Sequence, residues 1–531
     1  MPCSSARGGG GALRIAAARE DRPGPSPAPG GGGAPAPLPG WAWALCWAVL
    51  AVAVGLLVRL PGPATLDPDE HAAVRYFDRL VAGDRLEEPL LSSPKPLLTV
   101  AHGLAWRAAH DWRLLEAVTV AAFALAVVCL ARAAGRLGGT PAAATVALAV
   151  AGSGPLVLQA ARGNSVVFAL AGWSVALDAL TRRADRGGSG IAWGLVGVAL
   201  LLTGLARAES WLLLPLAAGY GVVAWRRGER RAALLLLPLA APLLWLAHDW
   251  LLTGDPLYGI RVPGRYTDLV AGRQVVAPGD WLALVARRYR ADPLLLALAV
   301  AGAVWLVRRR AWLWLAGLGV AGAGVLALLG LEAWRGTYIS WRYFDPADLA
   351  LRVTAALGAA ALASWVAARL AGRRPGVGPA AAVAGAALLV GLACWPLAPT
   401  DPLVASTLDR DTRLSANTAT AIASLAPIAA EPGTVLTASG PQRVRVAVEL
   451  DLPLDRVRDL FLATRSAPLD QALAGSAAVF HDADGDRPPE RFAPLTTTVE
   501  RRIGGVRVVP LRTGPGRGLY VHRVVGARSG G

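Results

Sequence analysis

The segment LLEAVTVAAFALAVVCLARAAGRL, residues 114–137, carries the pattern that decides the fold. It is an apolar run of about 20 residues, the length that an α-helix needs to cross the hydrocarbon core of a bilayer. Arg132 and Arg136 end the run, and arginines accumulate at the cytoplasmic ends of membrane spans. The segment therefore predicts a transmembrane helix whose carboxyl end faces the cytoplasm.

Similar runs recur along most of the 531-residue chain, which is 54% hydrophobic and 17% charged and has a mean hydropathy of +0.44. This composition is too apolar for an ordinary soluble enzyme. A further membrane-embedded helix is an alternative for residues 97–112. The runs predict about eleven transmembrane helices, at residues 41–60, 114–134, 139–159, 163–181, 190–206, 208–225, 232–252, 292–307, 311–331, 347–368 and 377–396.

Orientation follows from the other arginines, which accumulate where every second span ends. They are Arg182, Arg183 and Arg186, the run RRGERR at 226–231, Arg308 to Arg310, and Arg369, Arg373 and Arg374. The amino terminus is then cytoplasmic, and the loops 61–96, 253–291 and 332–346 and all residues after 396 lie outside. The formal net charge of +16 is explained by this topology and by contact with anionic lipids, so no nucleic-acid partner is predicted.

The chain divides into three predicted domains. Residues 1–40 are rich in glycine and proline and predict a disordered cytoplasmic tail. Residues 41–396 form the transmembrane domain, an α-helical polytopic protein of the plasma membrane. Residues 397–531 predict a small external α/β domain, with helix patterns in SANTATAIASLAPIAA and PQRVRVAVELD and strand patterns in TVLTAS, AAVFHDA, TTVERRI, VRVVPL and LYVHRVV.

The external loop 61–96 contains a high density of charge in LDPDEHAAVRYFDRL, residues 66–80. A helix start explains part of it, because Asp67 suits the N-cap and Glu70, three residues later, completes a capping box. The acidic pair Asp69 and Glu70 can therefore serve either helix capping or catalysis. The helix also has an apolar stripe suited to a membrane surface, formed by Ala73, Phe77 and Leu80.

The same loop leads into SSPKPLLTVAHGLAW, residues 92–106, where Lys95 is the only lysine of a chain with 53 lysines and arginines together. A lysine ammonium is a compact point charge that binds phosphate. An acidic pair followed by this lysine on one external loop indicates chemistry on a phosphorylated substrate. The alternative is a surface residue that drifted to lysine without a function.

Five features in a fixed order resemble the integral-membrane glycosyltransferases of the GT-C class. They are the acidic pair after the first span, the lysine-proline segment of the same loop, an Arg-x-Glu at 207–209, the sequence TGDPLYG at 253–259 and an Arg-Tyr pair at 342–343. The resemblance covers residues 41–395 and is nearest to the protein mannosyltransferase and lipid A aminoarabinose transferase branch. It implies transfer of a sugar from a polyprenyl phosphate to an acceptor at the outer membrane face.

The resemblance also implies roles for single residues. Asp69 is the general base or orients the acceptor, with Glu70 as its neighbour, and Lys95 contacts the donor phosphate. Arg207 and Glu209 belong to Arg-Ala-Glu-Ser, which replaces the Arg-Pro-Glu-Gly of the family, and an ion pair at a helix end is the alternative for them. The remaining implied contacts are Arg342 for the donor phosphate and His71, Tyr258 and Tyr343 for substrate.

These residues are sufficient for one displacement reaction. Transfer from a polyprenyl phosphate needs a base for the acceptor proton and cations for the departing phosphate, and a single in-line displacement inverts the anomeric carbon. No cofactor is firmly implied and no metal ligand is predicted, although a divalent cation stays open. The arginine, alanine and glycine usage indicates a bacterium with GC-rich DNA. The predicted partners are a polyprenyl-phosphate-linked sugar such as mannose or arabinose and an envelope glycan, lipid or secreted protein as acceptor.

Other functions stay open. A multi-pass transporter of a small solute or lipid-linked precursor would place ionisable residues in mid-span, and Asp178, His248 and Asp249 lie near span ends. A non-catalytic scaffold would leave the acidic pair and Lys95 unexplained. A serine hydrolase is unsupported, because no G-x-S-x-G motif stands between a strand and a helix.

We expect reporter fusions to reproduce this topology. Fusions after Arg186, Arg231 and Arg374 should give cytoplasmic signals and fusions after Gly259 and Pro402 external signals, because arginine-rich loops stay inside. Alkaline phosphatase and a fluorescent protein, fused at each position, report the two sides of the membrane. An external signal at any of the first three positions would contradict the predicted orientation.

Overall fold

A computed structural model describes the chain from residue 68 to residue 526, with gaps. The predicted tail 1–40, the predicted span 41–60 and Asp67 lie outside the described residues, as do the side chains of Asp69 and Arg342. All described residues belong to one compact unit. They are 68–86, 90, 92–186, 190–262, 278–290, 292–335, 341–371, 379–394, 402–460, 463–464, 467–482, 492–496, 499–513 and 519–526.

Most of the described chain up to residue 429 is helical. The α-helices are α1 (Pro68–Ala82), α2 (Pro96–Ala109), α3 (Trp112–Ala151), α4 (Gly154–Ala161), α5 (Ser165–Arg186), α6 (Gly190–Ala206), α7 (Leu214–Arg226), α8 (Ala240–Thr253), α9 (Trp281–Arg290), α10 (Pro293–Arg308), α11 (Trp312–Gly319), α12 (Val325–Trp334), α13 (Asp345–Ala371), α14 (Pro379–Cys394) and α15 (Pro402–Ala429). Short 3-10 helices lie at Ala208–Leu213, Arg230–Leu239, Pro278–Asp280 and Trp341–Phe344, and a π-helical segment, Val320–Gly324, joins α11 to α12.

Five helical stretches of the described chain are long and apolar enough to cross a membrane. They are Trp112–Ala151, Ser165–Arg182, Arg230–Thr253, Trp312–Trp334 and Asp345–Leu370, and the shorter apolar helices are Ala192–Ala206, Pro293–Arg308 and Ala381–Ala393. The described part is therefore a multi-pass helical bundle. The total of about eleven spans stays a prediction.

Helix α3 joins two of the predicted spans, 114–134 and 139–159. Gly139 interrupts the helix with a φ of 72°, and Pro141 follows it. Glycine reaches this left-handed conformation without steric cost, and proline lacks the N–H that the helical ladder needs. The chain therefore changes direction here. The predicted span 139–159 is divided between α3 and α4.

Helices α10 and α13 pack closely against each other within one apolar core of the bundle. Small residues allow such an approach between helices in membranes. A Cβ atom at Gly302 would lie 1.9 Å from the backbone oxygen of Thr354, and one at Gly358 would lie 2.0 Å from the backbone oxygen of Leu298. Only glycine fits these two positions without a shift of a helix.

Helix α1 packs on α2 through the apolar stripe that the sequence predicts. Ala73 and Phe77 are buried, and a Cβ atom at Gly103 of α2 would lie 2.0 Å from Cγ of Phe77. Arg107 of α2 pairs with Asp78 of α1 at 3.3 Å. The expectation that this stripe lies on a membrane surface is therefore wrong, because Phe77 packs on α2 and Leu80 packs against the apolar core that includes Tyr76 and Leu252.

The chain from residue 402 onward forms helices and a sheet, together called the C-terminal α/β region. Helices α16 (Gly440–Glu449) and α17 (Leu469–Leu473) follow α15. The strands are β1 (Leu436–Ala438), β2 (Val457–Asp459), β3 (Ala478–Asp482), β4 (Arg501–Ile503), β5 (Val506–Thr513) and β6 (Leu519–Gly526), in the order β2-β1-β3-β6-β5-β4. Strand β1 pairs in parallel with β2 and β3, and the other pairs are antiparallel. Five strands lie within or overlap the segments that the sequence pattern predicts, whereas the three-residue β2 has no such pattern.

Strand β3 separates two apolar cores. Phe480 packs in the core that includes α15 and α16, and the adjacent Val479 packs in a core with Leu473 and Val508. Successive side chains of a strand point to opposite faces of the sheet. The face of the sheet that carries Phe480 therefore packs against α15 and α16.

We expect Gly302→Ala to lower the free energy of unfolding by about 1–3 kcal/mol, because the added methyl group must push α10 away from α13. Gly391→Ala in α14 is the matched control, since a Cβ atom there meets no described atom within 4 Å and alanine is the better helix former. Thermal unfolding in detergent measures both variants. Equal Tm values would show that α10 and α13 do not cross this closely.

Candidate active site

The first turn of α1 carries the acidic pair and His71. The helix begins at Pro68, since proline suits the first helical position, and Asp69 lies in the same turn. Glu70 and His71 are 0% and 4% exposed. The His71 ring contacts Trp112 edge to face, with ring centroids 4.6 Å apart. Glu70 and His71 are therefore built into the protein interior, where an ionisable group is costly and is a functional candidate.

Lys95 directly precedes α2 and has an extended backbone, with φ −122° and ψ 106°. Its side chain is partly buried. The charge of Lys95 helps to lower the pKa of Glu209. Helix α2, which Lys95 precedes, packs on α6, and Arg207 directly follows α6.

Arg207 and Glu209 form a forked ion pair. Nε of Arg207 lies 3.1 Å from Oε2 of Glu209, and Nη2 lies 2.5 Å from Oε1. Burial alone would raise the pKa of Glu209, but the charge of Arg207 and its hydrogen bonds, with a contribution from Lys95, hold this pKa below its ordinary value. The side chain of Arg207 is 8% exposed, and its guanidinium carbon lies 5.5 Å from the centroid of the Tyr343 ring.

Three of the residues that the sequence predicts for the site are in contact, since Arg207 pairs with Glu209 and packs on Tyr343, and the charge of Lys95 acts on Glu209. Lys95 precedes α2, Arg207 and Glu209 lie at the 3-10 helix that follows α6, and Tyr343 lies in the 3-10 helix that precedes α13. Two of these side chains are cationic and one is anionic, so their net charge is positive. Such a cluster suits a phosphate group. Arg342 adjoins Tyr343 in the chain.

The segment TGDPLYG, residues 253–259, holds the loop that carries Lys95. The buried Tyr258 donates its hydroxyl hydrogen bond to the backbone oxygen of Leu90. Ser93 donates from its hydroxyl to the backbone oxygen of Gly259 at 3.0 Å. The hydroxyl of Tyr258, a predicted substrate contact, is thus used to hold the loop in place.

Gly259 is closely surrounded by side chains and leaves no space for a Cβ atom. Its N–H donates to Oδ2 of Asp249 in α8 at 2.8 Å. A Cβ atom at Gly259 would lie 2.8 Å from that oxygen, 3.0 Å from Nε1 of Trp245 and 3.1 Å from Oγ of Ser93. Trp245 in turn contacts Trp211 edge to face, 5.8 Å between ring centroids. Since Trp211 belongs to the 3-10 helix after α6, these contacts link the loop of Lys95 to the turn of Arg207 and Glu209.

A second group of contacts anchors the turn that carries Tyr343. Arg288 of α9 makes a forked ion pair with Asp348 of α13, with Nε 3.3 Å from Oδ1. Tyr289 donates its hydroxyl to the same carboxylate at 2.8 Å. The guanidinium carbon of Arg288 also lies 4.8 Å from the ring centroid of Phe344. The residue after Tyr343 is thereby fixed to both α9 and α13.

The sequence pattern does not mark Ser93, Asp249, Arg288 or Asp348 as residues of the site. The segment TGDPLYG points to the right loop, but the ion pair between Arg288 and Asp348 joins residues 60 positions apart and leaves no local pattern. Within the described ranges, no group of three or more histidines, cysteines, aspartates or glutamates could hold a metal ion.

Comparison with solved structures finds this architecture among membrane glycosyltransferases. ArnT from Cupriavidus metallidurans bound to undecaprenyl phosphate matches with a TM-score of 0.53 and 16% identity over 91% of this chain and 98% of that chain. Its apo state matches with a TM-score of 0.51 and 16% identity over 91% and 97%. The archaeal oligosaccharyltransferase AglB from Archaeoglobus fulgidus, in complex with an inhibitory peptide and a dolichol-phosphate, matches with a TM-score of 0.51 and 11% identity over 84% and 69%.

ArnT is a lipid A aminoarabinose transferase, and both ArnT and AglB are membrane glycosyltransferases of the GT-C class. No protein-family model matches this chain, and no curated protein matches its sequence. At identities of 11% and 16%, the likeness concerns the fold alone.

We expect Asp249→Ala to lower the free energy of unfolding by about 1–3 kcal/mol, because the buried N–H of Gly259 loses its acceptor. Asp249→Asn keeps an oxygen at the same place and should lose less. Thermal unfolding of the two variants and the wild type gives the comparison. An alanine variant as stable as the wild type would contradict this role of Asp249.

Proposed function

The chain has the fold of the GT-C membrane glycosyltransferases, and on that premise we propose that it transfers a sugar from a polyprenyl-phosphate donor to a cell-envelope acceptor at the outer face of the membrane. The observation that carries the proposal is the contact of Arg207 with Glu209 and with Tyr343, at the end of the helix on which α2, preceded by Lys95, packs. A phosphate needs cations of this kind, and a sugar ring packs well on an aromatic face.

The donor side of the site is assigned to the cationic cluster. Lys95 and Arg207 contact the phosphate, with Arg342 as a third contact, and Glu209 orients Arg207 through the forked ion pair. This arrangement agrees with the lipid phosphates that two structural neighbours bind, undecaprenyl phosphate in ArnT and a dolichol-phosphate in AglB. Tyr343 lies against Arg207 and is proposed to contact the donor sugar.

The acceptor side is assigned to the first turn of α1. The acceptor oxygen attacks the anomeric carbon, the bond between that carbon and the phosphate oxygen breaks, and the polyprenyl phosphate leaves. Asp69, with Glu70 beside it, takes the hydroxyl proton, and the cations balance the charge that develops on the phosphate. One displacement inverts the anomeric configuration. His71, the next residue, is proposed to influence which acceptor is used.

A transporter is the second candidate, and the buried pair His248 and Asp249 in α8 is the observation that favours it. Ionisable residues inside a bundle are typical of transport pathways. However, the carboxylate of Asp249 accepts the N–H of Gly259, which gives it a role in holding the loop of Lys95. The glycosyltransferase therefore accounts for more of the structure.

We expect a strain that lacks the gene to lose one sugar from its envelope glycans, lipids or secreted proteins, and the wild-type gene to restore it. Asp69→Asn should lower the restored amount by about 100-fold or more, as removal of a general base does, and Glu70→Gln and Lys95→Ala should lower it strongly. Mass spectrometry of the envelope fractions gives the measurement. Asp78→Asn, in the same helix but paired with Arg107 at its exposed side, is the matched control and should keep full transfer.

Protein stability separates catalysis from helix capping. If Asp69→Asn kept near-normal transfer and lowered the free energy of unfolding by about 1 kcal/mol, capping would be the role of the acidic pair. An unchanged set of glycans with altered uptake of a small solute would favour the transporter.

A further inference from the structure

Helix α1 is covered on more than one side. All residues from Glu70 to Val74 are at most 4% exposed. A helix that lies on a membrane surface keeps one face in water, and packing on α2 alone would also leave a face exposed. The first turns of α1 therefore have a second partner.

The second partner is the C-terminal α/β region. On one side of α1, Val74 packs with Ala105 of α2 and Leu115 of α3. On the other side, Ala72 and Tyr76 belong to a core that continues through α15, α16 and the sheet, with Ala421, Ile422, Leu425, Val444, Ala447, Phe480 and Val521. Helix α1 is thus enclosed between the helical bundle and the C-terminal α/β region.

A hydrogen bond connects this region to Trp112, whose ring contacts the first turn of α1. Trp112, the first residue of α3, donates its Nε1–H to Oε1 of Glu449 at 3.2 Å. Glu449 is the last residue of α16, and Arg445 holds the same oxygen with its Nε at 2.6 Å. Trp112 also contacts His71, 4.6 Å between ring centroids. One indole ring therefore lies between the C-terminal α/β region and the residue that follows the acidic pair.

The orientation of Trp112 is set by its neighbours. Asp111 caps α3, and its Oδ1 accepts the N–H of Arg113 at 2.9 Å. Trp106 of α2 packs against Trp112 with ring centroids 4.1 Å apart and an angle of 30° between the ring planes. With one ring face taken by Trp106, a shift of Glu449 would turn or tilt the indole and change its contact with His71.

We propose that the C-terminal α/β region forms one side of the active site, and that Trp112 and Glu449 are positioning residues that set the direction of the first turn of α1. The inference rests on the proposed function, which assigns the acidic pair of that turn to proton transfer. Neither residue is proposed to touch substrate. Their effect on the rate comes from geometry, since a shift of about 1 Å in a reacting group can cost about 100-fold in rate.

The experiment uses the full-length protein and four single variants. Trp112→Phe keeps an aromatic ring for His71 and removes the indole N–H. Glu449→Ala removes the acceptor, whereas Glu449→Gln keeps an oxygen in its place. Glu500→Ala is the matched control, because it removes a carboxylate from an exposed ion pair with Arg507, 3.2 Å, at the edge of the same region.

Sugar transfer in the complemented strain should fall by about fivefold for Trp112→Phe and for Glu449→Ala, in line with the loss of one hydrogen bond. The double variant should be no lower than the worse single variant, because both changes remove the same bond. Glu449→Gln and Glu500→Ala should stay near the wild type. Undecaprenyl phosphate should raise the Tm of the wild type, and this shift should be unchanged in all four variants, since Lys95 and Arg207 are untouched.

Hydrogen exchange of the α1 amides gives a readout that does not depend on activity. Exchange at residues 70–82 should rise about fivefold in Trp112→Phe and Glu449→Ala and stay unchanged in Glu500→Ala. Unchanged exchange in the first two variants, additive losses in the double variant, or a glutamine variant as impaired as the alanine variant would overturn the inference. A wild type that neither shifts in Tm with undecaprenyl phosphate nor restores a sugar would overturn the proposed function, and exchange of α1 would still decide the positioning contact.

Discussion

The apolar interior of the bilayer is the constraint on which the rest of this structure depends. Backbone groups inside it must find their hydrogen-bond partners within the same segment, so the spans are helices. Ionisable side chains are costly at the same depth, and the groups that can react with a charged substrate are confined to places where helices begin and end. Lys95, Arg207 and Tyr343 all occupy such places.

A site assembled from separate helix ends needs contacts that fix the positions of those ends relative to one another. Two sets of buried polar contacts do this, one around the N–H of Gly259 and the carboxylate of Asp249, the other around the ion pair of Arg288 and Asp348. Buried hydrogen bonds are costly to break because the partner is left without water, and forked ion pairs add directional specificity. These contacts therefore hold the segments that carry Lys95 and Tyr343 in place.

The C-terminal α/β region changes the environment of α1 from a surface to an interior. Its core includes Ala72 and Tyr76, which belong to the helix that carries the acidic pair. Removal of water from this helix strengthens electrostatic interactions there and limits the freedom of the first turn. A region that follows a helical bundle in sequence can in this way shape the surroundings of a helix of the bundle.

The sequence by itself determined the helical bundle, because runs of about 20 apolar residues are local patterns with a direct physical reading. Its residues also indicated Lys95 as a candidate phosphate contact, whereas Arg207, Glu209 and Tyr343 became candidates through the resemblance to a family. Only the tertiary structure decided that the apolar stripe of α1 faces α2, and that His71 is linked through Trp112 to Glu449. Trp112 and Glu449 are separated by 337 positions, and a contact over such a distance produces neither a period nor a spacing in the chain. It exists only once the C-terminal α/β region has packed against the helix that carries the acidic pair.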